Sequence, residues 1–307
     1  MLDVPVAFIV FNRPDLTRRT YAAIRRAQPK NLCIISDGPR PDRVGEADLV
    51  RQSREIAESC DWACDVSTFY SEINLGCGRR VSSGISGVFE QHERAIIIED
   101  DCEVGASFFE YCSALLDRYS EDRRVMAVSG DNFHHNQKVG DASYYFSKYP
   151  HCWGWASWRR AWQHYDHALE SWPVFRESQN LAALCDNFVE LDYWTRMFDA
   201  VHEGRIDTWD FTWTLACWMN HGLTAIPNVN LVSNLGFGVD ATHTLASSQF
   251  AELPIGQLGP LVHPDCVSRS YAADKKLDLQ MFSRGKLRPR HLIRLGKNWS
   301  KALSRAA

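Results

Sequence analysis

Hydrophobic positions in the first half of the chain fall into short unbroken runs. Between these runs, apolar residues recur every three or four positions. Residues 6–11, 32–36, 66–70, 95–98 and 125–129 are apolar or β-branched runs too short for helices and read as strands. Residues 15–27, 45–60, 78–91 and 108–119 carry the helical period. The run Ala95-Ile96-Ile97-Ile98 has no polar face, which predicts a strand buried on both sides. Strands separated by helices of this length need crossover connections. The pattern therefore predicts an α/β fold: a doubly wound, mostly parallel sheet with helices on both faces.

The second half is irregular and aromatic. Nine of the eleven tryptophans lie between Trp153 and Trp218. Helices are predicted over residues 180–203 and 210–220, and short strands over 224–226 and 229–232. No repeat and no low-complexity linker interrupts the chain. The predicted organisation is one continuous domain, with a ligand-binding half over 1–132, an aromatic-rich half over 133–283, and a tail over 284–307.

Composition changes this picture in two places. The formal net charge of −4 hides an asymmetry, because residues 284–307 hold eight Lys or Arg and no Asp or Glu. The body is acidic and the tail basic. Leu287, Leu292, Ile293, Leu295 and Trp299 interleave with those cations, a pattern suited to an anionic membrane surface or to a solvated terminus. Nucleic acid is not expected as a partner, since no base-stacking fold accompanies the basic run. The ten cysteines include no CxxC pair, which argues for free thiols in a reducing compartment rather than a zinc site. With no secretory signal visible, the expected location is the cytoplasm, or the inner face of a membrane through the tail.

The chemistry concentrates at the predicted strand ends. Glu99-Asp100-Asp101 follows the most buried predicted strand, and ligands of α/β sheets bind outside the carboxyl ends of strands. Adjacent carboxylates there need a compensating cation, and a hard divalent ion with substrate phosphates would supply it; a solvated acidic turn is the plainer reading. Arg13, before Pro14, sits at the same rim beside a helix start, where a guanidinium suits a phosphate or a nucleoside. Asp37 ends the second strand and can accept hydrogen bonds from a base or ribose, although Asp-Gly is also an ordinary turn pair. Arg79 and Arg80, after Gly76 and Gly78, could meet a diphosphate.

Asp210 opens a predicted helix, where a carboxylate caps the dipole. Between Trp209 and Trp213 it is also a candidate general base in a partly dried, sugar-stacking site. His243, after Gly236-Phe237-Gly238, could reach a metal or a phosphate, and His134-His135 near Asp131 is a weaker candidate for that role. The Cys152-to-Trp158 segment, with Trp153 and Trp155, reads equally as core or as a carbohydrate platform.

Together these residues resemble nucleotide-sugar glycosyltransferases of the GT-A fold, and in particular the N-acetylglucosaminyltransferase I family. The likeness is most specific over residues 95–132, in Ile-Ile-Ile-Glu-Asp-Asp-Cys-Glu-Val, Phe108-Phe109-Glu110-Tyr111 and Val128-Ser129-Gly130-Asp131-Asn132. It extends more weakly from Val6 to about Gly238.

The resemblance implies a nucleotide-sugar-binding half and an acceptor half. It implies Mn²⁺ or Mg²⁺ on Asp101 bridging two phosphates, Asp100 facing the ribose, and Glu99 holding the donor sugar. Arg13 and Asp37 would contact the nucleoside, and Asp210 would be the base. In this chain Phe211 stands where the family's segment has a second Asp, so Asp192 is the alternative base. The expected activity is inverting transfer of a hexose or N-acetylhexosamine from a UDP-type donor to a hydroxyl of a glycan, glycolipid or other acceptor, as in cell-surface polysaccharide assembly. The alternatives are a nucleotidyltransferase that makes a nucleotide sugar, and a non-catalytic carbohydrate-binding protein. The first would carry a Gly-rich loop where Asn12-Arg13-Pro14 stands; the second would need neither metal nor nucleotide.

Overall fold

The structure is a computed structural model of the 307-residue chain and describes residues 1–135, 137–178, 180–236 and 250–283. In chain order its elements are β1 (Val6–Val10), α1 (Pro14–Ala27), β2 (Asn31–Ser36), α2 (Glu46–Glu58), β3 (Asp65–Tyr70), α3 (Cys77–Gln91), β4 (Arg94–Glu99), β5 (Cys102–Val104), α4 (Phe108–Arg118), β6 (Val125–Ser129), β7 (Tyr144–Ser147), β8 (Trp155–Trp158), α5 (Arg159–Trp162), α6 (Trp172–Glu177), α7 (Asn180–Leu184), α8 (Phe188–His202), α9 (Asp210–Met219), β9 (Leu223–Pro227), β10 (Val232–Asn234) and α10 (Tyr271–Met281). The chain forms two units, Met1–His167 with Asp207–Ser270, and Ala168–Ile206 with Tyr271–Ala307.

The first unit is built on an eight-stranded sheet of order β3-β2-β1-β4-β8-β6-β9-β7. β3, β2, β1 and β4 run parallel, as do β6 and β9. β8 and β7 run against their neighbours. This is the expected mostly parallel α/β sheet. Alternation along the strands divides its faces. Phe8, Ile34, Ile96 and Ile98 join Tyr21 and Ile24 of α1 and Leu115 and Leu116 of α4 in one cluster. Ile35 points the other way, onto α3. Complete burial of each such side chain contributes about 1.5–3 kcal/mol.

The order β3-β2-β1-β4 creates the crevice at which the acids gather. The chain winds outward from β1 to β3, then returns through α3 to lay β4 on the other side of β1. β1 and β4 therefore flank the point where the winding reverses, and a crevice opens beyond their carboxyl ends. The register pairs Ile9 with Glu99, which brings Arg13 and the acidic triplet to one rim.

Three strands escape the sequence pattern. β8 is inserted between β4 and β6, and all four of its residues, Trp155 to Trp158, are buried. It has no polar face to produce alternation, and it is too short to stand out from an aromatic background. β7 closes the sheet edge on β9, and β5 pairs with β10 outside the main sheet. That pairing moves the strand expected over 229–232 to Val232–Asn234.

The second unit holds α6, α7, α8 and α10 around Trp172, Trp194, Phe198 and Phe282. The single helix expected over 180–203 is two. The first ends at Leu184, and Asn187, in an extended backbone conformation, caps the next, its side chain accepting from Val189 N and Glu190 N. Residues 284–307, the basic tail, lie outside the described residues. Among the described residues no helix is long and apolar enough to cross a membrane.

α3 packs on the sheet through a glycine. A Cβ on Gly84 would sit 2.3 Å from Ile35 Cγ2. Gly84→Leu is expected to destabilise the protein by about 1–3 kcal/mol through overpacking, read as a lowered urea midpoint with an unchanged slope. A midpoint equal to wild type would show that α3 packs less tightly than described.

Candidate functional site

Pro14 starts α1 and leaves Arg13 as its N-cap, in a non-helical backbone conformation, with the side chain directed across the end of β4. The guanidinium forks over two carboxylates. Arg13 Nη2 donates to Asp100 Oδ1 at 2.6 Å, and Arg13 Nη1 lies 2.9 Å from Asp101 Oδ2. Asp100 is buried and further held, with its Oδ2 accepting from Phe11 N at 3.2 Å and its carbonyl accepting from Thr20 Oγ1 at 2.9 Å. Cys102 Sγ approaches Asp101 Oδ1 at 3.4 Å, and Leu235 N donates to the Asp101 carbonyl at 2.8 Å. Leu235 comes directly after β10, so the β5–β10 pair carries the next residue, Gly236, directly over Asp101. A Cβ on Gly236 would lie 2.0 Å from Asp101 Oδ2 and 3.1 Å from Arg13 Nη1. Only a glycine can pass this close to the paired oxygen without a clash.

The site's electrostatics are those of crowded acids. Burial works against the Arg13 cation, but Asp100, Asp101 and Glu99 outweigh it and hold its pKa above the ordinary arginine value. Burial raises the Asp100 carboxyl to about 6, against the pull of Arg13 and with the push of Asp101. Glu99 is raised well above the usual carboxylate range, first by burial and then by Asp101, with Asp100 and Asp210 adding to the effect. Burial also raises the Cys77 thiol at the start of α3, as do the charges of Glu99, Asp210, Asp207 and Asp101. Glu99 and Asp101 of the acidic triplet and Asp210 at the start of α9 thus lie within electrostatic reach of one another.

Asp210 is the first residue of α9. Its Oδ1 accepts from Phe211 N at 2.8 Å and from Thr208 Oγ1. Its expected aromatic walls serve a different purpose. Trp209 and Trp213 are buried and pack against Trp155 at 5.6 Å each, and Trp162 stacks on Tyr165 at 4.3 Å. These rings are core that supports the start of α9, not free faces for a sugar. Trp155 is likewise core, while Trp153 is half-buried and meets Phe133 edge-on at 5.0 Å.

Asp37 lies past the end of β2. Its carboxylate accepts from the backbone of Gly38 (2.9 Å), Leu75 (2.9 Å) and Gly76 (3.0 Å), so it shapes the loop leading into α3. Burial raises its pKa against those donors and Arg80. Arg79 is exposed, whereas Arg80 is half-buried beside Asp37, with its Nε unpartnered. Asp192 is on α8 of the second unit, paired with Arg196 at 2.9 Å. His134 is buried, and His135 stacks on Phe250. His243 lies outside the described residues.

Asp207 has a role that its place before a helix does not announce. Its Oδ1 accepts from Gly78 N at 2.9 Å, capping α3 from a segment 129 positions away. No local pattern signals such a contact. Gly236 had a signal, as part of a glycine pair, but its task is the close approach to Asp101.

Among the described residues no three His, Cys, Asp or Glu side chains converge closely enough to hold a metal by themselves. Asp101 offers a carboxylate within an acidic triplet, and Gly236 passes close over its Oδ2, the oxygen paired with Arg13, without adding a side chain. Those features suit a hard divalent ion held by one carboxylate and completed by ligand phosphates and water.

Comparison with known proteins adds a family likeness over part of the chain. Residues 78–175, which include the acidic triplet, match the GNT-I family. No curated protein matches the chain. Among solved structures it is similar to UDP-glucose pyrophosphorylase complexed with UDP-glucose, at 8% identity over 74% of this chain and 90% of that one, TM-score 0.37. It is also similar to 4-diphosphocytidyl-2C-methyl-D-erythritol synthase from Anaerococcus prevotii, at 12% identity over 53% and 74%, TM-score 0.33. A third is mouse xyloside xylosyltransferase 1 in its apo form, at 11% identity over 71% and 83%, TM-score 0.32. These are distant likenesses, and the chemistry rests on the site itself.

The geometry makes Gly236 and Glu99 sensitive positions. Gly236→Ala should push the Asp101 carboxylate off Arg13 and lower the thermal midpoint, measured by differential scanning calorimetry. A midpoint equal to wild type would show that Gly236 lies less close to Asp101 than this geometry requires.

Glu99 is raised in the folded state, so its contribution to stability is intact below the unfolded pKa and is lost as pH rises through the folded one. Glu99→Gln removes that loss. In metal-free protein it should raise the melting temperature relative to wild type at pH 8, with a smaller difference at pH 5. An equal shift at both would refute the burial of this charge.

The chain thus resembles the GNT-I family across the strand, acidic triplet and neighbouring helices that build this rim, and the resemblance supports glycosyltransferase chemistry there.

Proposed function

We propose that the protein is an inverting glycosyltransferase that takes a sugar from a UDP-type donor and passes it to a hydroxyl of a glycan, glycolipid or related acceptor. The observation that supports this most is the convergence of Arg13, Glu99, Asp100, Asp101 and Asp210 outside the carboxyl ends of β1 and β4. At one end of the crevice the Arg13 guanidinium, paired with Asp100 and Asp101, is the group that would meet a nucleotide; the other carries an acid at a helix start.

In this reading Asp100 and Arg13 meet the nucleoside and diphosphate, Asp37 with the loop it shapes borders the base, and Glu99 accepts from donor-sugar hydroxyls. Arg79 is the further cation near the diphosphate, and His243 is a candidate ligand or phosphate contact. Mn²⁺ or Mg²⁺ held by Asp101 would offset charge on the departing diphosphate as a Lewis acid. Asp210 takes the proton of the acceptor hydroxyl as its oxygen attacks the anomeric carbon. The bond to the diphosphate breaks on the opposite face, which inverts the anomeric centre. The Trp155–Trp209–Trp213 packing fixes where Asp210 stands.

The basic tail would bring the enzyme to an anionic membrane carrying lipid-linked acceptors, as in cell-surface polysaccharide assembly. Vesicle co-sedimentation of the full chain against a chain ending at Ser283 tests this, and equal partitioning would eliminate it.

Asp210→Asn should lower turnover at least about a thousandfold while leaving donor affinity within a few-fold, and Asp101→Ala should lose both metal-assisted donor binding and transfer. Undiminished sugar transfer by Asp210→Asn, measured with an acceptor that wild type uses, would overturn the assignment of the base. A nucleotidyltransferase would instead release pyrophosphate from a nucleoside triphosphate, and a binding protein would show no manganese-dependent thermal shift with nucleotides.

A further inference from the structure

Arg13 has a second consequence, separate from contact with a nucleotide. Its two terminal nitrogens divide between neighbouring carboxylates, Nη2 on Asp100 at 2.6 Å and Nη1 on Asp101 at 2.9 Å. Asp100 is the anchored partner, buried and also held by Phe11 N and Thr20 Oγ1. Asp101 Oδ2, which Gly236 approaches closely with no side chain of its own, is the one the guanidinium covers. The carboxylate best placed to hold a divalent ion already has a cation on it, donated by the chain itself.

We propose that Arg13 is the resident counter-ion of Asp101 and competes with the divalent cation for it, so that metal takes this carboxylate only together with a diphosphate. This inference rests on the reading of Asp101 as the metal-binding carboxylate. A guanidinium and a divalent cation repel each other, and both cannot sit at hydrogen-bonding distance from one oxygen. Arg13 holds Asp100 through Nη2, and its planar guanidinium also pairs bidentately with phosphate oxygens. A diphosphate offers such oxygens beside it. When one arrives, Nη1 exchanges Asp101 for a phosphate oxygen, Nη2 keeps Asp100, and Oδ2 is released to the ion. Arg13 is thus a positioning residue that makes metal affinity conditional on donor. It also offsets part of the charge of the two adjacent carboxylates until a donor binds.

The test measures metal binding without catalysis. Free Mn²⁺ is followed by its paramagnetic resonance signal during titration of wild type, Arg13→Gln and Arg13→Lys, each with and without saturating UDP. Wild type should take up Mn²⁺ weakly alone and at least about tenfold more tightly with UDP. Arg13→Gln should bind Mn²⁺ alone at least about tenfold more tightly than wild type, and so lose most of the dependence on UDP.

Arg13→Lys preserves the charge beside Asp100 but cannot span both carboxylates. It should gain a few-fold in affinity for Mn²⁺ alone, and it decides the matter should the glutamine variant fail to fold. A folded variant whose affinity for Mn²⁺ alone equals or falls below that of wild type overturns the competition. If instead no protein takes up Mn²⁺ even with UDP, both the competition and the metal-dependent reading fall. A folded Arg13 variant that shows no gain, beside a wild type that still takes up Mn²⁺ with UDP, removes only the competition.

Discussion

A pair of adjacent carboxylates at the end of a buried strand is unstable unless a cation is shared between them, and in this protein Arg13 is that cation. Removing one partner of such a buried cluster leaves an uncompensated charge and costs on the order of 3–5 kcal/mol. Several features meet that constraint. Pro14 fixes the start of α1 so that Arg13 precedes the helix. Thr20 turns its hydroxyl to the Asp100 carbonyl, and β1 lies directly beside β4. The parallel sheet supplies the burial, and the burial makes the pairing strong.

The aromatic second half serves this rim indirectly. Trp155, Trp209 and Trp213 spend their faces on one another, so they contribute rigidity rather than a binding surface. That packing holds the first turn of α9, and with it Asp210, from behind. Asp207, three residues earlier, ties the same segment to the start of α3 through Gly78 N. The starts of α3 and α9, far apart in sequence, are thereby tied together near the place where the acids gather.

Much of this was legible in residue order. The apolar runs predicted four strands, β1, β2, β4 and β6, because a strand buried on both faces must be largely apolar, and β-branched and aromatic residues marked the partly exposed edge strand β3. The acidic triplet was recognisable because hydrophilic charge abruptly follows Ile96-Ile97-Ile98, and Arg13 because Pro14 dictates a helix start. β8 was not legible, since Trp155 to Trp158 offers neither alternation nor length. The break between α7 and α8 was also hidden, because three residues, Cys185 to Asn187, are too few to interrupt a helical period visibly. The tryptophans were undecided between core and platform, since aromatic composition is the same for both; burial alone separates them.

Local chemistry in the chain determined which residues end strands, where helices begin, and that acids and a guanidinium would stand at strand ends. The return of the chain past β1, which sets β4 rather than β3 against it, was decided only by tertiary packing. So was the approach of Gly236 to Asp101 and of Asp207 to Gly78. The reason is physical: strand order and loop approach are set by which apolar faces bury together across the whole sheet, and no short segment carries that information by itself.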